Sequence, residues 1–297
     1  MNKDIGKHTI CDDCRIKKLK GEDERSFEQR QRIAVKFCRV KFRLLVLSGK
    51  GGVGKSFVSA NLAYTLSEKG YKVGLVDVDI HGPSIPKILG LEGREIIVDN
   101  NEIVPIRYSD NLEVMSIGFF LKGKEESVIW RGPMKMGAIR QFLGDVAWGD
   151  LDFIVVDSPP GTGDEPLSIA QLLFGPRGSI VVTTPQELAV GNVARSVTFS
   201  RMVGMQVLGA IENMRYLTCP HCGKKIDLFP GEGASVLYRE MGVALLGLIP
   251  FKPEISTMAD KGVLAVRENP EISKIFSDIA DKVIDFQEKL NKARKSK

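Results

Sequence analysis

The octapeptide Gly49-Lys50-Gly51-Gly52-Val53-Gly54-Lys55-Ser56 constrains this 297-residue chain more than any other feature. It satisfies the pattern G-x-x-x-x-G-K-[ST] in full. Glycines at these positions let successive backbone N–H groups turn inward around a phosphate that side chains would otherwise obstruct. Lys55 then reaches the β- and γ-phosphates, and the Ser56 hydroxyl is set to ligate Mg²⁺. Such a loop needs a strand before it and a helix after it, because the helix N-terminus favours an anion. The flanks meet that condition: Phe42 to Leu47 is an apolar run of strand type, and Phe57 to Leu66 carries apolar residues at helical spacing. The segment from Gly49 through Phe57 is therefore read as a nucleotide cradle.

From Phe42 onward strand and helix patterns alternate. Strands are expected at 42–48, 72–77, 112–117, 151–157, 178–184, 207–211 and 245–249. Helices are expected at about 55–69, 136–147, 165–174, 187–203, 233–241 and 271–294. Near-continuous apolar strands separated by helices imply a mostly parallel, doubly wound sheet in a three-layer α/β/α P-loop fold. Ile96–Val98 and Ile103–Ile106, on either side of Asn100-Asn101, read as an inserted hairpin. Residues 1–41 are rich in charge and read as a poorly ordered arm ending in a short helix at 24–38. Residues 42–297 then form one ATPase domain with a cysteine-bearing insertion near 216–230.

Composition limits the partners. A hydrophobic share of 43% supports one large core, and 42 basic against 37 acidic residues give +5, too mild a balance to argue for nucleic acid. No stretch approaches the ~18 uninterrupted apolar residues of a membrane span. Residues 1–30 lack the apolar core of a secretory signal, so a cytoplasmic setting is expected. The five cysteines, an odd number, point to metal ligation rather than disulfides. Ile272, Ile275, Phe276, Ile279, Val283, Phe286 and Leu290 trace one face of a last helix. That face is read as packed on the sheet, with a solvated basic tail at 292–297, in preference to a membrane-surface helix.

Carboxylates at strand ends add to the phosphate site, since open α/β sheets present ligand-facing groups there. Asp77 and Asp79 end the run Leu75-Val76-Asp77-Val78-Asp79. Asp157 ends Phe153-Ile154-Val155-Val156-Asp157, a Walker B pattern suited to holding Mg²⁺ or its water shell.

Lys50, directly after the first glycine, occupies a position the general pattern leaves free. With it the loop resembles the deviant Walker A motif of the MinD/ParA/nitrogenase-iron-protein class. That resemblance implies that Lys50 crosses a dimer interface to the partner's nucleotide, so that an ATP sandwich dimer is the active state. Three further motifs, Asp77-Val78-Asp79-Ile80-His81-Gly82-Pro83-Ser84, Trp130-Arg131-Gly132-Pro133 and Asp157-Ser158-Pro159-Pro160-Gly161-Thr162-Gly163-Asp164, together resemble the Mrp/ApbC-type iron–sulfur cluster carrier ATPases. By that resemblance Lys55, Lys50 and Asp79 are the catalytic groups, with Asp79 positioning the attacking water. Ser56, Asp77 and Asp157 serve Mg²⁺, Gly161 to Gly163 sense the γ-phosphate, and Asn213 and Pro250 contact the adenine.

Cys219-Pro220-His221-Cys222-Gly223 lets two thiolates chelate one soft centre. Taken alone it fits a redox dithiol, half a zinc ribbon or part of an iron–sulfur site. Both kinds of metal centre normally take four ligands, and two-fold symmetry would supply them by repeating Cys219 and Cys222 across a C₂ axis. The carrier family binds a bridging [4Fe–4S] cluster in this way, so the resemblance implies a homodimer that carries such a cluster, with zinc as the alternative metal, to apo iron–sulfur proteins. Cys11 and Cys14 form a second C-x-x-C, short of the family's N-terminal four-cysteine motif, and Cys38 reads as a small buried hydrophobe. Two rival functions stand beside the carrier: a MinD/ParA-like positioning ATPase, which has no use for Cys219 and Cys222, and a zinc-stabilised nucleotide switch.

Overall fold

Strand β1 (Val40–Ser48) is buried on both faces and lies at the centre of the sheet. Its residues alternate between two cores: Phe42, Leu44 and Val46 face one, and Leu45 and Leu47 face the other. The computed structural model describes residues 16–120, 132–219, 221–229 and 239–295. Eight strands form the main sheet in the order β12-β9-β8-β1-β7-β2-β6-β5. They are β2 (Val73–Asp77), β5 (Ile106–Ser109), β6 (Leu112–Ser116), β7 (Leu151–Asp157), β8 (Arg177–Thr183), β9 (Gln206–Glu212) and β12 (Leu245–Leu248), with β1. Every neighbouring pair is parallel except β5 with β6. The functional strand ends therefore collect along one edge of the sheet.

One face is covered by α2 (Lys55–Glu68) and the long α9 (Pro270–Lys295), with the short α3 (Ile85–Ile88), α7 (Pro253–Asp260) and α8 (Ala265–Glu268) around them. The other face carries α1 (Glu24–Cys38), α4 (Gly132–Asp145), α5 (Asp164–Leu172) and α6 (Glu187–Met202). Three layers result, as the sequence pattern predicts. Ile272, Phe276, Ile279 and Val283 of α9 have no exposed surface. Each such side chain gains about 2 kcal/mol by leaving water. The apolar face of α9 is thus spent on the fold, and among the described residues no helix is long and apolar enough to cross a membrane.

Helix α1 starts where the sequence sets it. The Asp23 carboxylate caps it by accepting from the Ser26 N–H at 2.9 Å, and Ile33, Ala34 and Phe37 bury it against α4 and α5. Residues 1–15, the first part of the expected 1–41 arm with Cys11 and Cys14, lie outside the described residues, as do Trp130, Arg131 and most of the expected 233–241 helix. Cys38 departs from expectation. It is half-buried at the last residue of α1 rather than sealed in the core, and it carries a disulfide whose other half lies outside the described residues. The expectation of metal ligation in place of disulfides therefore does not hold at this cysteine.

Helix α4 begins four residues earlier than the apolar periodicity suggests, because Gly132-Pro133 opens its first turn and proline is pre-set for that position. The inserted hairpin is present as β3 (Ile97–Asp99) and β4 (Glu102–Val104), turning through Asn100 and Asn101 at φ 48° and 62°. Pro105 ends it, and the following Ile106–Ser109 joins the main sheet as its antiparallel edge instead of extending the hairpin. A second small hairpin, β10 (Tyr216–Thr218) with β11 (Lys225–Asp227), projects just beyond β9.

Candidate functional site

The phosphate loop runs from the end of β1 to the start of α2, and its backbone has the required form. Gly52 and Gly54 adopt φ of 77° and 84°, which a side chain would strain. Gly54 is doubly required, since a Cβ there would lie 2.2 Å from Asn213 Nδ2.

Below the loop the structure gathers the expected charged residues. Lys55 Nζ lies 2.8 Å from Asp157 Oδ1 and 3.9 Å from Asp79 Oδ2. Asp157 is fully buried and accepts from Ser56 Oγ at 2.5 Å and Ser59 Oγ at 2.7 Å. Asp77 stands beside Asp157 in the parallel register of β2 and β7. It accepts from Ser116 Oγ at 3.0 Å, from the Asp79 N–H at 3.1 Å and from the Ile85 N–H at 3.3 Å. Asp79 Oδ1 accepts from the His81 and Gly82 N–H groups at 3.2 and 3.3 Å. One ammonium thus faces three buried carboxylates.

This crowding shows in the proton affinities. Burial, and then the neighbouring charge of Asp157, push the Asp77 carboxyl up to about 8 against the pull of Lys55. Burial also raises Asp79, opposed by Lys55. The donor set suits a hard divalent cation: hydroxyl and carboxylate oxygens converge at the helix N-terminus beside surplus negative charge. Ser56 and Asp157, with Asp77 behind them, would hold Mg²⁺.

The raised Asp77 value fixes the direction of a pH effect. The unfolded chain loses this proton near 3.8, whereas the folded chain keeps it to about 8. Stability is therefore greatest at low pH on this account and declines as pH rises through that window, levelling off above it. In chelator-treated protein, the thermal midpoint should fall more steeply between about pH 5 and about pH 8 in the parent than in Asp77→Asn. Equal slopes would show that the buried proton sits elsewhere.

The remaining candidates occupy the same edge. Gly161, at φ 93°, donates its N–H to the Ser48 carbonyl at 2.7 Å, so the segment Gly161 to Gly163 lies against the phosphate loop. Asn213 follows β9 and is buried, with its amide donating to the Val53 carbonyl at 2.9 Å. Pro250 is buried just after β12, the neighbour of β9. The Phe57 ring turns away from the loop and packs edge-on against Phe276 at 5.9 Å, leaving only its backbone in the cradle. Lys50 Nζ donates to Gln186 Oε1 at 2.5 Å within its own chain.

The cysteines sit on the β10–β11 hairpin. The Cys219 N–H donates to the Lys224 carbonyl and the Gly223 N–H to the Cys219 carbonyl, both at 2.9 Å, with Gly223 at φ 69°. The resulting knuckle presents both thiols outward, Cys219 half-buried and Cys222 exposed. Backbone N–H groups of Cys222 and His221 directed at the Cys219 sulfur hold its thiol below the usual range. Among the described residues no set of three or more His, Cys, Asp or Glu side chains could hold a metal. Among the described residues the knuckle thus brings two sulfurs and no third ligand.

Sequence reasoning missed Ser59, Ser116, Gln186 and Arg215. Ser59 stands one helical turn beyond Ser56 and Ser116 ends β6, so both follow from spacing and strand-end rules. Gln186 and Arg215 carry no such signal.

Comparisons with known proteins accord with this geometry. A family model described as the NUBPL iron-transfer P-loop NTPase matches residues 39–284. A protein of Saccharolobus solfataricus named iron-sulfur cluster carrier protein is 46% identical over 260 residues, covering 86% of this chain and 88% of its own. An Aedes aegypti protein named as a Nubp2 homolog, a cytosolic Fe-S cluster assembly factor, is 46% identical over 251 residues, 82% of this chain and 97% of its own. Among solved structures, the nucleotide-binding protein of Archaeoglobus fulgidus in complex with ADP matches with a TM-score of 0.71 at 39% identity, over 80% of this chain and 93% of that one.

Proposed function

The chain belongs to the family of NUBPL-type iron-transfer P-loop NTPases, and on that premise we propose that it hydrolyses ATP and carries a [4Fe–4S] cluster between two copies of itself for delivery to apo iron–sulfur proteins. One observation carries the reading. A phosphate loop and a two-thiol knuckle stand on the same sheet edge, and the knuckle has two of the four ligands a cluster takes. A C₂ dimer supplies the other two by repeating Cys219 and Cys222 across its axis. The names borne by the relatives support a cytoplasmic setting and iron–sulfur cargo.

In the nucleotide half, Lys55 neutralises the β- and γ-phosphates, and Lys50 exchanges Gln186 for the nucleotide of the second copy. Bound Mg²⁺ would screen the charge on the β- and γ-oxygens. Asn213 and Pro250 border the adenine, and Asn213 can offer it both a donor and an acceptor. Asp79 orients the attacking water, which bonds to the γ-phosphorus as the bond to the bridging oxygen breaks, leaving ADP and phosphate. Its two backbone hydrogen bonds fix the carboxylate beside Lys55. Asp79→Ala should therefore keep ATP affinity within about threefold while slowing turnover by about a hundredfold. Turnover at the parental rate, measured by phosphate release, would assign the water to another group.

In the cargo half, a cluster held by two sulfurs from each copy sits at an interface that opens, which suits release to a recipient. The buried apolar face of α9 weighs against a membrane-docking reading, because the face such a helix would use is packed on α2 and β12.

A further inference from the structure

Five residues separate Asn213, which touches the phosphate loop, from Cys219, which opens the knuckle. Asn213 is fixed by its backbone, its N–H bonding to the Thr183 carbonyl at 2.8 Å, so its side chain on Val53 is what registers the loop. Met214 then takes φ of 57°, a left-handed turn that is strained for a side-chain-bearing residue and reverses the chain sharply. The Arg215 N–H bonds to the Ile249 carbonyl at 2.9 Å, which leaves the guanidinium between two carboxylates. Its Nε lies 3.6 Å from Glu212 Oε2, on the buried strand end that adjoins Asn213. Its Nη2 lies 3.7 Å from Asp227 Oδ2, on the strand opposite Tyr216 in the cysteine hairpin.

Both contacts are long for charge-assisted hydrogen bonds, which close to ~2.7–2.9 Å when well made. Arg215 Nη1 is buried and makes no hydrogen bond among the described residues. A buried N–H without a partner is costly, so the guanidinium is drawn to whichever carboxylate moves toward it. Tightening on Glu212 loosens Asp227, and the reverse. Other ties of the hairpin run elsewhere: Tyr216 Oη to Glu271 at 3.1 Å leads to α9, the Phe251 N–H donates to the Tyr216 carbonyl at 2.7 Å just beyond β12, and Lys225 over the Tyr216 ring at 4.2 Å stays within the hairpin.

We propose that Arg215 is a positioning residue that couples filling of the phosphate loop to the set of the cysteine hairpin within one chain. Nucleotide in the loop displaces the Val53 carbonyl and Asn213, shifts Glu212 by one residue's leverage, and redistributes Arg215 between Glu212 and Asp227. The knuckle then reports the state of the nucleotide without any change of partner. The inference rests on the nucleotide-binding part of the proposed function and not on hydrolysis or on the cluster.

The test is amide hydrogen exchange across residues 216–227 of the full chain, reduced and chelator-treated, with and without saturating ADP. ADP fills the loop without the γ-phosphate that hydrolysis requires. In the parent, ADP should change hairpin exchange by about fivefold. In Arg215→Gln the response should fall below about twofold while ADP affinity stays within about threefold of the parent. Asp227→Asn, made at a side chain 60% exposed and so harmless to the core, should lose the response in the same way and decides the matter should Arg215→Gln fail to fold. ADP that binds the parent saturably but leaves the hairpin unmoved overturns the coupling alone. A parental response in both variants overturns the role of Arg215. Absence of ADP binding to the parent overturns the nucleotide reading and the coupling with it.

Discussion

Lys55→Ala is expected to weaken ATP binding by at least about a hundredfold, the largest single effect on the nucleotide half of this protein. The reason lies in the local charge count. Lys55 is the ammonium that meets Asp157 at 2.8 Å and Asp79 at 3.9 Å, with Asp77 directly behind. Without it a polyphosphate would enter against the buried Asp157 and Asp79, with the backbone N–H groups of its own loop to receive it. Each unit charge left unneutralised in a site of effective dielectric about 20 costs on the order of several kcal/mol at contact distance. The fold should tolerate the change, because Ser56 and Ser59 still hold the Asp157 carboxylate. Equilibrium titration with a fluorescent ATP analogue reads the loss. Parental affinity would remove the assignment of residues 49–56 as the phosphate loop.

The second large effect belongs to the cysteines. Cys219→Ser and Cys222→Ser should each lose the cluster, since in a symmetric dimer every substitution removes two of about four ligands. A serine hydroxyl is a hard, poorly ionised donor that iron in a sulfide cluster binds weakly compared with thiolate. Both side chains are exposed or half-buried on a surface hairpin, so the fold and nucleotide binding should survive. The brown charge-transfer absorption of reconstituted protein is the readout. The Cys11→Ser/Cys14→Ser double variant should keep most of it, because Cys11, Cys14 and Cys38 fall one short of the four ligands a cluster takes. Iron lost with the arm cysteines and kept without Cys219 and Cys222 would place the cargo elsewhere.

Much of the fold was readable because it is written locally. Helix α1 (Glu24–Cys38) and strand β7 (Leu151–Asp157) match their expected limits residue for residue, one through the Asp23 cap and the other through an unbroken apolar run. The short α3, α7 and α8 went unread. Helices of 4 to 8 residues cannot nucleate alone and exist here only because the sheet and α2 support them. The same division runs through the site. The octapeptide and Asp157 announce themselves by spacing, and Asp77 by its place at a strand end. The value of about 8 at Asp77, in contrast, depends on the register that sets it beside Asp157, and register is not visible in either strand alone. The Arg215 link is less visible still, since Glu212, Arg215 and Asp227 meet only once β9 ends and the hairpin folds back.

The carrier reading stands or falls on what the knuckle holds. The decisive measurement is iron, sulfide and zinc analysis of protein purified and reconstituted without oxygen, taken with its mass in solution. The account predicts about four iron and about four sulfide per two chains, in a dimer that reverts to single chains in Cys219→Ser. Zinc at full occupancy, with no iron taken up on reconstitution, would contradict it and leave a zinc-stabilised nucleotide switch in its place.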